Sequence, residues 1–185
     1  MTNLTGKLLA AMPGIGDPRF NRSVIVVCAH SDEYTMGLVV NNPMDDLKLA
    51  ELLQQLGIEQ DIQRPDQSVL NGGPVGVDRG FVLHTNDYFS DGATVPVSDE
   101  LCMTATREIL NVIAGAGAPE RISMLLGYAG WGPGQLEHEL GENAWLVADL
   151  SDSIIFGDAH AQKWEQTLGQ IGIDPAKLHF SGGQA

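Results

Sequence analysis

Four short apolar runs, rich in β-branched residues, set the first limit on the fold. They are SVIVVCAH at 23–30, YTMGLVVN at 34–41, GFVLH at 80–84 and ISMLLGY at 122–128. None reaches the roughly 10–12 residues of an ordinary helix, and none alternates cleanly between apolar and polar. Each therefore reads as a strand buried on both faces. The first two are joined by the short polar turn Ser31-Asp32-Glu33, which favours an antiparallel hairpin. Residues 7–12, ended by Pro13-Gly14, form a strand or a helical turn, and the flanking Pro and Gly favour the strand. Shorter extended pieces are expected at 68–70, 94–97, 101–103, 144–150 and 154–156.

Helical spacing appears between these runs. Asp45 or Asp46 is expected to cap a helix with the stripe Leu47, Leu49, Leu52, Leu53 and Leu56, which Gly57 stops. Thr104 or Thr106 is expected to cap a second helix through Ile109, Leu110 and Ile113. Pro133 opens a short helix that reaches Leu140. Asp158 is expected to cap a last one carrying Trp164, Leu168 and Ile171 on one face. Strands that recur between helices make a mixed α/β chain, read as a single domain over 1–185 with a mobile tail at 181–185. Strands this often broken by Gly and Pro imply a strongly curved or partly closed sheet.

Charge narrows the partners. Asp+Glu number 24 against 10 for Lys+Arg, a net charge of −14. That field repels phosphate backbones, so direct nucleic-acid binding is not expected. Neither Leu47–Leu56 nor the 105–114 segment supplies the basic residues of a DNA-reading helix. The N-terminal stretch MTNLTGKLLAAMPG lacks the apolar core of a signal peptide, and no stretch reaches the ~18 residues of a membrane span. Cys28 and Cys102 both lie in apolar surroundings and read as buried free thiols. The expected compartment is the cytoplasm, with no membrane association.

The sharpest local feature is the strand ISMLLGY running into AGWGPG and then into QLEHEL. Strand, glycine loop and helix can present backbone N–H groups to an anion. The glycines at 127, 130, 132 and 134 spell neither the dinucleotide fingerprint nor the P-loop. The structural alternative is that the glycines shape the chain while Trp131 packs beneath it. A second feature is Asn71-Gly72-Gly73-Pro74 with Arg79 and His84 downstream. Its glycines would let backbone approach a ligand and Arg79 would fix an anion; the alternative is a turn with a surface ion pair. Glu137, Glu139 and Glu142 read as a solvated face, or as part of an acid–base pair. HELGEN is not H-E-x-x-H, which removes the zinc-protease reading. Cys28 and His30, two apart on a strand, would share a face, but two ligands do not make a metal site, and no metal is expected. No G-x-S-x-G occurs. Arg19 and Arg22 flank Phe20 as a small basic cluster able to contact a phosphate or a partner's acidic groups.

Taken together, AMPGIGDPRFNRSVIVVCAH, MGLVVNNP, NGGPV with DRGFVLH, and LGYAGWGPGQLEHEL with NAWL resemble the AlgH/YqgE family of bacterial proteins. The resemblance runs over essentially the whole chain, and GYAGWGPGQLE is its most specific block. It implies a compact α/β fold whose bifurcated, mainly antiparallel sheet folds toward a pseudo-barrel flanked by helices. It also implies a cytoplasmic protein with no established enzymatic activity, labelled a transcriptional regulator without a recognisable DNA-binding motif. It supplies no catalytic residues and no cofactor. The expected function is binding or regulation through a protein partner or small ligand, with the oligomeric state open. The expected ligand contacts are Gly72, Gly73, Arg79, Trp131, Gln135 and Glu137. The alternative is an enzyme acting on a phosphorylated or nucleotide-like substrate, held by Arg79 and the amides before Gln135, with Glu137 as base.

Overall fold

Strands and helices follow in the order β1 (Lys7–Ala11), β2 (Val24–His30), β3 (Thr35–Val39), β4 (Pro43–Lys48), α1 (Leu49–Gln55), β5 (Ser68–Asn71), β6 (Val75–Thr85), β7 (Thr94–Pro96), β8 (Leu101–Thr104), α2 (Arg107–Ile113), β9 (Ile122–Trp131), α3 (Gln135–Gly141), β10 (Trp145–Asp149), α4 (Asp152–Phe156) and α5 (Lys163–Gln170). These are the elements of a computed structural model that describes residues 2–59, 62 and 64–178. The tail at 181–185 lies outside the described residues. The architecture is mixed α/β with mainly antiparallel pairing, as expected. The chain divides into two compact units. One is Met1–Asn41 with Gly130–Ala185, and the other is Asn42–Ala129. Among the described residues, no helix is long and apolar enough to cross a membrane.

In the first unit β10, β1, β2 and β3 pair antiparallel in that order. The fully apolar sequences of β1 and β2 follow from this central position, where Leu8, Leu9, Ile25 and Val26 are 0% exposed. The β2–β3 hairpin is present, with a register shift between Val27 and Ala29. Helix α5 lays Trp164, Thr167 and Leu168 inward, and the Trp164 indole N–H donates to the Ala11 carbonyl at 2.8 Å.

In the second unit β4 pairs with β5, β6 with both β9 and β8, and β8 with β7, all antiparallel. The exception is β5, which runs parallel to β9. Leu125 pairs with both Leu70 and Phe81, so β5 and β6 occupy opposite edges of β9. The chain at 72–74 must therefore cross that strand. Backbone meets backbone at the crossing. A Cβ on Gly72 would lie 2.3 Å from the Gly127 carbonyl oxygen, and one on Gly73 would lie 2.1 Å from the Tyr128 carbonyl carbon. Only glycine fits there, because neither neighbour is a side chain that can swing away. Leu49, Leu52 and Leu53 of α1 and Ile109, Leu110 and Ile113 of α2 pack with Val69, Val82 and Met124 of the sheet. At roughly 1.5–3 kcal/mol for each buried aliphatic side chain, this cluster contributes substantially to the stability of the unit.

Several local expectations are corrected. Asp45 and Asp46 lie within β4 and cap nothing. Pairing with β5 keeps the backbone extended to Lys48, whose N–H donates to Glu51 Oε2 at 3.3 Å as α1 begins. Strand β9 continues past Tyr128 to Trp131, so the glycine loop is reduced to 132–134. Pro133 precedes α3 rather than opening it. Residues 154–156 belong to helix α4, since a short apolar run has no period that separates strand from helix. Asp158 does not cap α5, which starts after a 3-10 turn at His160–Gln162.

Candidate functional site

In the first unit the polar groups of the glycine–tryptophan segment bond to one another. The Glu139 carboxylate accepts from the Trp131 indole at 2.9 Å and the Trp145 indole at 2.7 Å through Oε2. Through Oε1 it accepts from the Gln135 amide at 3.0 Å. The Gln135 carbonyl in turn accepts from the Gly132 N–H at 3.0 Å. The two indole rings meet edge to face at 5.9 Å and are almost fully buried. Hydrogen bonds to a charged group contribute about 1.5–3 kcal/mol each, so this knot sets the geometry of the segment. It also takes up the Gly132 amide that was expected to cradle an anion.

Glu137 is tied elsewhere. The His30 ring is buried, with Nδ1 accepting from the Leu4 N–H at 2.9 Å. That bond places the ring proton on Nε2, which donates to Glu137 Oε1 at 2.6 Å. This hydrogen bond holds the Glu137 carboxyl below its usual range. A carboxylate so stabilised is a weak base, and both imidazole nitrogens are occupied. Both nitrogens of His30 and one oxygen of Glu137 are thus engaged within the protein. Glu137 and Glu139 are accordingly not a simple solvated face. The signals were two nearby indole donors, 8 and 6 residues from Glu139, and an imidazole 107 residues from Glu137.

The remaining expected contacts fall as follows. Gly72, Gly73 and Arg79 lie in the second unit; Trp131, Gln135 and Glu137 lie in the first. The close approach that Gly72 and Gly73 allow is made to β9. Arg79 is exposed and stacks over Phe81 at 5.5 Å and Tyr128 at 5.8 Å. Arg19 forks onto Asp17, which it holds below the usual carboxylate range. Arg22 pairs with Glu165 at 3.0 Å and lies over the Trp164 ring at 4.5 Å. Cys28 and His30 form no common site, because the bulge between Val27 and Ala29 breaks the two-residue alternation. Cys28 instead turns onto the Val26 carbonyl, and burial pushes its thiol up to about 12. Among the described residues, no three His, Cys, Asp or Glu side chains could hold a metal ion.

The feature that sequence reasoning missed is a cleft of about 320 Å³ in the second unit. Its floor includes Leu52, Val82, Ile109, Leu110 and Met124, and its polar lining is Asp78, Thr104, Thr106 and Arg107. The cleft lies where α1 and α2, each seven residues long, meet the sheet; Val82 and Met124 sit deep in it at 1% and 3% exposed, while Leu52 and Leu110 reach 8% and 9%. Thr104 is already engaged. Its hydroxyl bonds to His84 Nε2 at 2.7 Å and to the Thr94 hydroxyl at 2.8 Å. Burial lowers the His84 pKa, which keeps that buried ring neutral. No local pattern announced the cleft, since its floor residues share the periodicity of ordinary core.

Residues 8–176 match the AlgH-like family. The chain belongs to that family. Among its AlgH-like relatives, a UPF0301 protein of Caulobacter vibrioides is 49% identical over 183 residues, covering 98% of this chain and 94% of the relative. A UPF0301 protein of Ruegeria pomeroyi is 50% identical, covering 99% and 100%. The solution structure of the AlgH protein from Pseudomonas aeruginosa superposes with a TM-score of 0.79 at 37% identity, covering 100% of this chain and 97% of the other. A crystal structure of a protein from Corynebacterium diphtheriae shares the fold, with a TM-score of 0.73 at 20% identity, covering 96% and 91%.

Proposed function

We propose that this AlgH-like protein is a binding protein, with a regulatory role exercised through a ligand or partner, and that its seat is the cleft of the second unit. The observation that carries this reading is a cleft of about 320 Å³ with an apolar lining that includes Leu52, Leu110 and Leu126 and, more deeply buried, Val82 and Met124. That volume is at the low end for small-molecule sites, which are typically apolar with a few polar groups at fixed positions. The polar knot of the first unit supports the same reading by contrast. Its donors and acceptors are matched internally, and Glu137 is held as an acceptor rather than poised as a base. The test is chemical-shift mapping on the isotopically labelled protein with a panel of small apolar compounds. Shifts clustered at Val82, Leu110 and Met124 are expected. Shifts clustered at Trp131, Gln135 and Glu137 would transfer the seat to the glycine–tryptophan segment and overturn the proposal.

A further inference from the structure

The lining of this cleft carries one unpaired anion and one cation with donors to spare. Among the described residues, Asp78 forms no ion pair. Arg107 spends Nη2 on the Leu56 carbonyl at 2.7 Å, and a guanidinium carries five N–H donors. Thr106, at the N-cap of α2, makes no side-chain cap bond, so its hydroxyl is a third polar group at the site. Beneath them the floor is apolar.

We infer that the cleft selects a small zwitterion with an apolar body, its ammonium group meeting Asp78, its carboxylate meeting Arg107, and its apolar part on Val82, Leu110 and Met124. An α-amino acid with a large apolar side chain has this chemistry. The inference rests on the cleft being the binding seat and adds the class of ligand. Charge complementarity decides between candidates. A neutral apolar compound would pair with neither Asp78 nor Arg107, both exposed residues of the lining. A simple carboxylate would leave Asp78 unpaired and would also meet the field of a chain with net charge −14. A simple amine would leave Arg107 unpaired. A zwitterion answers both charges, and such pairing sets specificity more than raw affinity.

The test uses calorimetric titration of the full chain with L-phenylalanine, L-phenylalaninamide and N-acetyl-L-phenylalanine, alongside displacement of the neutral dye Nile red. L-Phenylalanine is expected to bind and to displace the dye, with each singly charged analogue at least about ten-fold weaker. Asp78→Asn should erase the preference over the N-acetyl compound, and Arg107→Gln the preference over the amide. Because Arg107 also holds the end of α1, Asp78→Asn is the variant that decides if Arg107→Gln fails to fold. If the dye binds in the cleft and L-phenylalanine neither binds nor displaces it, the zwitterion inference falls while the binding seat stands. Equal binding of all three compounds also overturns it. If neither dye nor amino acid binds, both readings fall.

Discussion

The two units of this protein treat their polar groups in opposite ways. In the first, two indoles, an amide and an imidazole are bonded to two glutamates, and little is left over for a ligand. In the second, an apolar floor is left open and charges of both signs line it. The segment most distinctive in sequence is thus the one most fully used by its own structure. Distinctive composition marks demanding geometry, and demanding geometry is not always a site.

Substitutions can break this contrast. The largest effect is expected at the crossing of β9. In Gly73→Ala the new Cβ would overlap the Tyr128 backbone, and a loss of about 4 kcal/mol or more, or failure to fold, should appear in urea unfolding. Glu139→Ala strands two buried indole donors and should cost about 2–4 kcal/mol by the same measurement. A loss below about 1 kcal/mol would show that the knot is incidental.

Lys163 offers a test through pH. Its side chain is 1% exposed and Nζ donates to the Val40 carbonyl at 2.8 Å. Burial pushes its ammonium down to about 8, with the Asp158 carboxylate opposing. Between pH about 8 and 10.5 the unfolded chain holds a proton on this lysine that the folded chain has released, so stability must rise with pH across that window. Relative to Lys163→Met, the wild-type protein should gain up to about 3 kcal/mol between those limits. Parallel pH profiles for the two proteins would contradict the assignment. The smallest effect is expected at Glu137→Gln. The half-exposed acceptor keeps an oxygen for His30, so a loss of about 1 kcal/mol is expected in urea unfolding at neutral pH.

Much of the fold was legible because the strands carry their signal locally. Residues 23–30 and 34–41 gave the hairpin, since β-branched runs beside a polar turn leave few alternatives. Gly57 stopped α1 where expected, with φ +73°. The misreadings occurred where long-range pairing overrode local preference. Asp45 and Asp46 are good caps in isolation, but they lie in the irregular stretch of β4 between Pro43 and Lys48, the two residues that pair with β5. Gly130 and Trp131 looked like loop, but β9 extends through them. The cleft was illegible for a related reason. It is a gap set by the packing of α1 and α2 on the sheet, and no local pattern in the sequence records such a gap. The partner of Glu137 was hidden by separation along the chain, 107 residues to His30, whereas the indoles that Glu139 holds lie only 6 and 8 residues away.

The most direct test of the account is a fluorescence titration of Nile red into the wild-type protein and two variants, Ala105→Trp and Glu137→Gln. Ala105 is exposed and lines the cleft, so an indole there would fill the opening without entering the core. The account predicts that Ala105→Trp weakens binding at least about ten-fold, a change of about 1.4 kcal/mol, while Glu137→Gln binds as the wild type does. Unchanged binding to Ala105→Trp, together with loss of binding in Glu137→Gln, would contradict it.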